Sequence, residues 1–312
     1  MPLSKPETRY DPIHDRFVII APKRGARPND VERRETASPK RESSKDCPFC
    51  NEPLTVENTL LAMCGRKHWC ARVVQNKFPA VTLDNPKAYG TQEVVIETPE
   101  HDVELADLNF EHILHIFRAY QDRTQSLMKN KRIKYILIFK NQGGKAGASL
   151  RHAHSQIMAT SFIPPHIIQR LVRSEEWQVK HGACYHCDLS AKERKGPRLI
   201  SSDSCTVAFA PYASLHGYEA WIMPRRHVDN ITRMTPDEIK SFVKITVGVL
   251  KKINRLGLAY NFYLHQVTTE RNEHFYLRIA PRGSIWGGVE LGSRMVINSI
   301  APEDAAKYFR KK

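Results

Sequence analysis

The order of short motifs along the 312-residue chain repeats once, and this repeat limits the folds that the sequence can adopt. In each half, a Cys-x-x-Cys pair precedes a strand-like stretch that leads into a proline and then a histidine, His101 in the first half and His227 in the second. A long helical stretch, a further strand-like stretch and a His-x-His or His-x-Tyr motif follow in the same order. Such an ordered set indicates two copies of one αβ unit packed together.

Hydrophobic periodicity places the elements of each unit. One helix is predicted over residues 109–128, and another begins near Thr235, where Thr-Pro-Asp-Glu forms a capping box before an apolar stripe. Strands are predicted over residues 16–20, 71–75, 93–97, 135–140, 155–159, 206–210, 219–223, 260–265 and 275–280. We therefore predict an α+β fold made of two tandem modules, residues 1–175 and 176–312, each a mainly antiparallel sheet with a packed helix.

The formal net charge of +15 is typical of proteins that bind polyanions, so nucleic acid is considered as a partner. Much of the excess lies in the polar residues 23–45, which we expect to form a long loop, and the chain has no basic stripe interleaved with aromatic residues. A phosphorylated small molecule therefore suits the charge better than nucleic acid. No apolar run could cross a bilayer and no apolar signal segment opens the sequence, so we expect a soluble, cytoplasmic protein that does not contact membranes.

The cysteine pattern indicates metal rather than disulfides. Seven cysteines is an odd number, and four of them form the pairs C-P-F-C and C-Y-H-C. Two thiolates with two imidazoles make a tetrahedral zinc shell. The two predicted ligand sets are Cys47, Cys50, His101 and His152, and Cys184, Cys187, His227 and His274.

Other histidines compete for these ligand positions, and other readings of the cysteines remain open. The rivals are His68, His112 and His115 for the first set, and His181, His186 and His216 for the second. The thiols could instead be reduced and buried without metal, and the second set could be differently ligated. We expect one or two structural zinc sites, with iron as the alternative metal at one of them.

The segment KNQGGKAGASLRHAHSQI, residues 140–157, carries the chemistry. Its glycines let backbone amides approach phosphate oxygens. On a strand, His152, His154 and Gln156 point to one side, so His152 can bind metal while His154 faces the phosphate. A neutral imidazole attacks activated phosphorus, and an amide can stabilise the charge that develops on the phosphoryl oxygens. The alternative is that both histidines chelate metal.

At these residues the sequence resembles the galactose-1-phosphate uridylyltransferase branch of the histidine-triad superfamily. It is most similar to the ADP-glucose phosphorylases of that branch, with which it shares F-K-N-x-G, G-A-S and H-S-Q. The likeness runs from R-Y-D-P near the start to G-G-V-E-L-G and I-N-S-I-A-P-E-D-A-A near the end. The resemblance implies two histidine-triad (HIT-like) modules, a catalytic one over residues 1–175 and a degenerate one over residues 176–312, in a homodimer.

The resemblance also implies roles for individual residues. His154 corresponds to the nucleophile, and Gln156 to the glutamine found in transferases where hydrolases have histidine. The metal positions of the family fall on the two predicted sets. The implied substrate contacts are Arg24, Arg27, Asn76, Asn141, Gly147, Ser149 and Glu290. Each has a simpler alternative, such as a solvated loop charge for the arginines, a turn residue for Asn76 or a surface acid for Glu290.

Departures from the family pattern leave the base and the acceptor open. The chain has H-A-H-S-Q where many uridylyltransferases have H-P-H-G-Q, Arg151 precedes the histidines, and no lysine lies a few residues before Glu290. In the second half, Tyr276 and Arg278 replace the nucleophile and the glutamine, so that half is predicted to be catalytically inert.

The sequence thus predicts a nucleotidyltransferase that works by a ping-pong mechanism through a nucleotidyl-histidine, with a nucleotide sugar as donor. A UDP-glucose:hexose-1-phosphate (galactose-1-phosphate) uridylyltransferase is placed first because that activity is commoner in the family. The alternative is an ADP-glucose phosphorylase, whose acceptor is inorganic phosphate. Two other classes remain: a nucleotide hydrolase of the histidine-triad type, which Gln156 disfavours, and a non-catalytic module built on zinc knuckles.

Overall fold

The computed structural model describes residues 5–26, 44–51, 58–268 and 273–311, which form two sheets and seven helices. The strands are β1 (Glu7–Asp11), β2 (Arg16–Ile20), β3 (Thr59–Ala62), β4 (Arg72–Gln75), β5 (Gly90–Ile96), β6 (Tyr135–Gln142), β7 (His154–Thr160), β8 (Leu199–Ser202), β9 (Thr206–Phe209), β10 (Ala220–Pro224), β11 (Tyr260–His265), β12 (Tyr276–Pro281) and β13 (Val296–Asn298). The helices are α1 (Pro48–Asn51), α2 (Phe110–Met128), α3 (Pro165–His181), α4 (Tyr185–Glu193), α5 (Pro236–Arg255), α6 (Gly288–Ser293) and α7 (Pro302–Arg310). The α+β fold class predicted from the sequence is confirmed.

One ten-stranded sheet contains most of the strands, in the order β3-β4-β5-β7-β6-β11-β12-β10-β9-β8. The two middle strands, β6 and β11, pair antiparallel, with Asn141 opposite Asn261 and Phe139 opposite Tyr263. Outward from this pair the strands follow the same pattern on both sides. The sheet therefore displays the internal repeat of the sequence, and it runs without a break across the predicted division at residue 175, which stays a prediction.

Two long helices, α2 and α5, cover one face of the large sheet. Each begins where the sequence analysis placed it: Asn109 caps α2, and Thr235 and Glu238 form a reciprocal capping box at the start of α5. Their apolar stripes are buried against the sheet and against each other, with the rings of Phe117 and Phe242 6.1 Å apart. Because helices occupy this face, the opposite face is the one available to ligands.

The opposite face is partly covered by elements that the sequence analysis did not predict. Helix α3 lies over part of it, where Ile167 and Leu171 pack with Val267. A small sheet of order β1-β2-β13 joins the two ends of the chain, because β13 pairs parallel to β2. Helix α6 directly precedes β13. The ends of the chain thus border the ligand-accessible face.

The outermost strands, β3 and β8, are each four residues long. Each is also irregular: the pairing register shifts between Thr59 and Leu61 in β3, and between Leu199 and Ser201 in β8. The two edges of the large sheet thus repeat the same irregularity. Within the described ranges, the structure has no helix long and apolar enough to cross a membrane.

Candidate active site and metal centres

The first predicted ligand set comes together at the base of β7. Cys47, Cys50, His101 and His152 each place a ligand atom within 4.8 Å of the others. The Nδ1 atoms of His101 and His152 both lie 3.4 Å from Sγ of Cys50. Ligands bound to zinc at 2.0–2.3 Å in a tetrahedron lie about 3.5 Å apart, so the donor set fits this metal. His152 Nε2 donates to the Thr98 carbonyl oxygen at 2.7 Å, which leaves Nδ1 to coordinate.

The second set forms an equivalent cluster in the other half. Cys184, Cys187, His227 and His274 also lie within 4.8 Å of one another, and Nδ1 of both histidines lies 3.3 Å from Cys187 Sγ. His274 Nε2 donates to the Pro224 carbonyl oxygen at 2.8 Å, as His152 does to Thr98. The repeat thus extends to the hydrogen bonds that orient the ligands.

The sequence argues against a disulfide framework, yet one disulfide forms between two cysteines outside the predicted ligand sets. Cys64 and Cys70 are bonded to each other, with Cα atoms 5.6 Å apart. They lie close together because both belong to the loop that connects β3 to β4. Two rival ligands lie beside this hairpin. His115 lies within 4.8 Å of both of these cysteines, and His112 Nε2 lies 2.7 Å from the Cys70 carbonyl oxygen. Neither histidine belongs to the two Cys₂His₂ clusters.

His154 is the first residue of β7, and only 7% of its surface is exposed. Its Nδ1 donates to the His152 carbonyl oxygen at 2.8 Å. A carbonyl oxygen can only accept, so the proton is held on Nδ1 and Nε2 keeps its lone pair. Burial is the largest of the effects that lower the pKa of His154 below its usual value. The imidazole is therefore oriented and neutral, as a nucleophile requires.

A buried ion pair holds the start of β7 in place. Lys140, which is 2% exposed, donates to a Glu97 carboxylate oxygen at 2.8 Å and to the His154 carbonyl oxygen at 3.2 Å. On the helix side of β7, the hydroxyls of Ser155 and Tyr120 are hydrogen-bonded at 2.7 Å. Both contacts lie on the helix side of the sheet and fix the start of β7, and with it the position of His154. The sequence analysis missed this network, although Lys140 inside a predicted strand was a signal.

The side chain of Gln156 is oriented by its neighbour on β5. Gln92 Nε2 donates to Oε1 of Gln156 at 2.8 Å. Because its oxygen is engaged, Gln156 presents its amide hydrogens to other acceptors. Gln156 lies two residues after His154 and lines one of the same cavities. It can therefore donate to an oxygen of a phosphorus centre attacked by His154.

The glycine-rich segment between β6 and β7 is held by a residue from the second half of the chain. Asn261 Nδ2 donates to Asn141 Oδ1 and to the Ala146 carbonyl oxygen, both at 2.8 Å. Gly143 and Gly147 have φ angles of +82° and +84°, which side chains rarely adopt. At Gly143 an added Cβ would also lie 2.9 Å from that of Ala259. The loop is therefore shaped by backbone freedom and by β11.

Two cavities meet at His154. The larger has a volume of about 630 Å³ and a mainly apolar surface formed by side chains such as Phe49, Val74 and Val94, with Asn76, Ser149 and Gln156 among its polar groups. The smaller, about 340 Å³, is lined by polar groups that include Lys140, Asn141, Gly143 and Gly144. An apolar cavity suits a base, and exposed backbone suits phosphate. Asn76 Oδ1 also accepts from the Phe78 amide at 2.8 Å, so it shapes a turn as well.

Two predicted substrate contacts lie elsewhere. Arg24 follows β2, Glu290 lies in α6, and neither lines a cavity at His154. They are close enough to each other to interact: burial would raise the pKa of Glu290, but backbone N–H donors, with a smaller contribution from Arg24, lower it overall. Arg27 lies outside the described residues.

Metal analysis tests the two clusters. Elemental analysis of the dialysed protein should find two divalent metal ions per chain, one for each cluster. Cys47→Ser and Cys187→Ser should each lose one ion, because three remaining ligands bind metal far more weakly than four. Cys205→Ser, at a free cysteine outside both clusters, should keep both ions. An unchanged metal content in Cys187→Ser would contradict the second site.

Comparison with known proteins identifies the family. A sequence model described as galactose-1-phosphate uridyl transferase, N-terminal domain, matches residues 2–164. The chain is 31% identical to an ADP-glucose phosphorylase of Arabidopsis thaliana, over 98% of this chain and 93% of that protein. It is 26% identical to a galactose-1-phosphate uridylyltransferase of Thermotoga maritima, over 98% of each.

Solved structures agree with the sequence comparison. The crystal structure of an ADP-glucose phosphorylase from Arabidopsis thaliana with bound ADP-glucose superposes with a TM-score of 0.86 at 31% identity, covering 99% of both chains. A uridylyltransferase structure superposes with a TM-score of 0.77 at 28% identity, covering 97% of both. The chain therefore belongs to the galactose-1-phosphate uridylyltransferase family of nucleotidyltransferases.

Proposed function

We propose that the chain transfers a nucleoside monophosphate from a nucleotide sugar to a phosphate acceptor through a covalent bond to Nε2 of His154. The observation that carries this proposal is the hydrogen bond from His154 Nδ1 to the His152 carbonyl oxygen, which fixes the tautomer with a free lone pair on Nε2. The imidazole lies where an apolar and a polar cavity meet, which suits the base and the phosphates of one ligand.

The reaction has two steps. In the first, Nε2 attacks the α-phosphorus, the bond to the bridging oxygen breaks, and hexose 1-phosphate leaves with the bonding electrons. In the second, an acceptor phosphate oxygen attacks the same phosphorus and displaces the histidine. Gln156 donates to the phosphoryl oxygen in both steps, and the glycine-rich loop binds phosphate through its amides. Burial of His154 removes water that would compete with the acceptor.

The comparisons favour ADP-glucose as the donor and inorganic phosphate as the acceptor, which makes ADP and glucose 1-phosphate the products. The Arabidopsis enzyme of that name has the higher identity and superposes with the higher TM-score. The uridylyltransferase reaction that the sequence analysis placed first is the second candidate, supported by the Thermotoga relative. We also infer that the resident metal of both clusters is zinc, which would tie the segment of Cys47 and Cys50 to the sheet.

We propose further that the active chain is a homodimer in which a second copy supplies Arg24 and Glu290. Within the described residues, these side chains lie beside each other and outside the cavities of His154. A twofold axis would place the same pair of each copy at the nucleophile of the other. The basic group would then meet the phosphates, and the carboxylate would meet the hexose hydroxyls.

Intact-mass measurement tests the nucleophile and the base together. The metal-loaded protein mixed with ADP-glucose, without acceptor, should gain the mass of AMP, and phosphate should then remove it as ADP. His154→Asn should gain no mass. UDP-glucose should give less adduct. The second candidate would be favoured if only UDP-glucose formed an adduct, and the transfer mechanism would be refuted if folded protein formed none with either donor.

Gln92 tests whether Gln156 has to be oriented. Gln92→Leu should slow adduct formation about tenfold, because Oε1 of Gln156 loses the Gln92 Nε2 donor and the Gln156 amide rotates more freely. Gln156→Leu should slow it by roughly 10²–10³, the usual cost of losing a donor to the transition state. Gln125→Leu, at an exposed position of α2 that lines neither cavity at His154, is the matched control and should react at nearly the normal rate. Equal rates in Gln92→Leu and the normal chain would count against this arrangement.

Complementation tests the shared site. His154→Asn and Glu290→Gln should each be nearly inactive alone. After mixing in equal amounts under conditions that exchange subunits, about one quarter of the normal activity should return, because half of the dimers then contain one intact site out of two. No recovery, with mixed dimers present, would show that Glu290 acts in its own chain or not at all.

A further inference from the structure

A further cavity lies on the ligand-accessible face, over the middle strands of the large sheet, and combines apolar surface with buried cations. Its volume is about 460 Å³, and it lies between β6, β11, β12, α3 and the segments around β2 and Trp286. Eight of its nineteen lining residues carry a guanidinium or imidazole group: His14, Arg16, His166, Arg170, His216, His265, Arg278 and Arg282. Among the described residues, no aspartate or glutamate lines it.

The internal repeat explains where this cavity lies. Strand β12 takes the place in the second half that β7 takes in the first. Arg278 is opposite Tyr263 across β11, just as Gln156 is opposite Phe139 across β6. Tyr276 therefore stands where His154 stands, and a guanidinium stands where the amide does. Three strand spacings, roughly 14 Å, separate β7 from β12, so Tyr276 lies well away from His154. His154 does not line this cavity, but Asn141 lines both it and the polar cavity at His154, so the two are neighbours.

The carboxylates near the cavity are already engaged by its cations. Glu219 forms an ion pair with Arg278 at 2.7 Å, and Glu273 forms one with Arg170 at 2.7 Å. Asp11 accepts from His14 at 2.9 Å and lies 3.9 Å from an Arg16 nitrogen. The acids thus hold the guanidinium groups in place without occupying the cavity. Four guanidinium groups against three carboxylates leave an excess of positive charge.

Buried nitrogen atoms on the wall have no partner in the structure. They are Nε of Arg16 and Arg170, Nδ1 of His216, Nε2 of His265 and Nε1 of Trp286. Arg170, His216 and His265 are 3%, 4% and 8% exposed, so bulk water does not reach these groups freely. Among the described residues of the wall, no fully buried side-chain oxygen lacks a partner. An unpartnered buried polar group costs about 1–3 kcal/mol, and these groups can be satisfied together by a ligand rich in acceptors.

We propose that this cavity binds a phosphate monoester of a sugar or nucleoside, which it holds without transferring it. Guanidinium forks and N–H donors match the oxygens of a phosphate dianion. The volume exceeds that of a bare phosphate and admits an attached sugar, for which Trp286 and Tyr135 offer aromatic surface. Because Tyr276 and Arg278 stand at the positions of the nucleophile and its glutamine, no covalent intermediate forms.

Equilibrium dialysis of the metal-loaded full chain with labelled glucose 1-phosphate and, separately, labelled AMP tests the proposal. At least one of these monoesters should bind at two equivalents per chain. Asn76→Ala, in the cavity next to His154, should lose one equivalent of AMP, and Arg16→Gln/His216→Asn should lose the other through an affinity loss of at least about tenfold. Arg194→Gln, an exposed arginine at the end of α4, should keep both.

Competition with inorganic phosphate distinguishes a phosphate monoester from free phosphate as the ligand. Inorganic phosphate should displace the second equivalent only at concentrations at least about tenfold higher, since it lacks the sugar contacts. The proposal would be overturned if the normal chain bound only one equivalent of monoester, and if Asn76→Ala lost that equivalent while the double variant kept it. If circular dichroism shows that the double variant is unfolded, His216→Asn alone replaces it. Dialysis does not depend on turnover, so failure here is distinct from failure of the His154 adduct.

Discussion

The backbone pairing of β6 with β11 is the interaction on which the rest of the structure depends. It joins two five-stranded halves into one sheet, and it brings Asn261 of the second half against Asn141 and the glycine-rich loop of the first. The second half therefore contributes to the candidate active site, because it determines the shape of the loop that would bind phosphate. This explains physically why a catalytically inert copy would be retained beside an active one.

The backbone around His154 is held in position by buried charged groups rather than by apolar packing alone. Lys140 and Glu97 are almost fully buried. Removing two charged groups from water costs free energy, and the attraction between them offsets this cost only when their geometry is good. The same lysine bonds to the carbonyl oxygen of His154, so the electrostatics of the interior and the position of the imidazole are coupled. The ligand cluster of His152 fixes the preceding turn of chain. His154 thus lies between the Lys140–Glu97 ion pair and the cluster that contains His152.

The parts of the fold that sequence reasoning predicted are those with local signals. Helices α2 and α5 were found from their caps and stripes, which lie within short stretches of chain. The two ligand sets span about a hundred residues each and were found from the ordered repeat of short motifs. Helix α3 was missed since its buried face includes Arg170, which pairs with Glu273 about a hundred residues later. The pairing of β13 with β2 was missed for a similar reason, because its partners come from opposite ends of the chain.

The residues of the candidate site could likewise be predicted only where the signal is local. His154 and Gln156 could be predicted from alternation along one strand, whereas the support from Gln92 and Lys140 depends on strands that meet only in the folded sheet. The Cys64–Cys70 bond depends on a hairpin whose turn carries no strong signal. The distance of Arg24 and Glu290 from His154 follows from how the ends of the chain pair, which no local pattern encodes.

The irregular outer strands β3 and β8 have a consequence for how the protein behaves in a crowded solution. A ten-stranded sheet with two long, flat edges would offer unpaired N–H and C=O groups to any other strand, including those of its own copies. Four-residue edges with a shifted register offer little such template, because a bulge twists the strand away from a partner. The repeat thus includes a protection against aggregation as well as the Cys₂His₂ cluster.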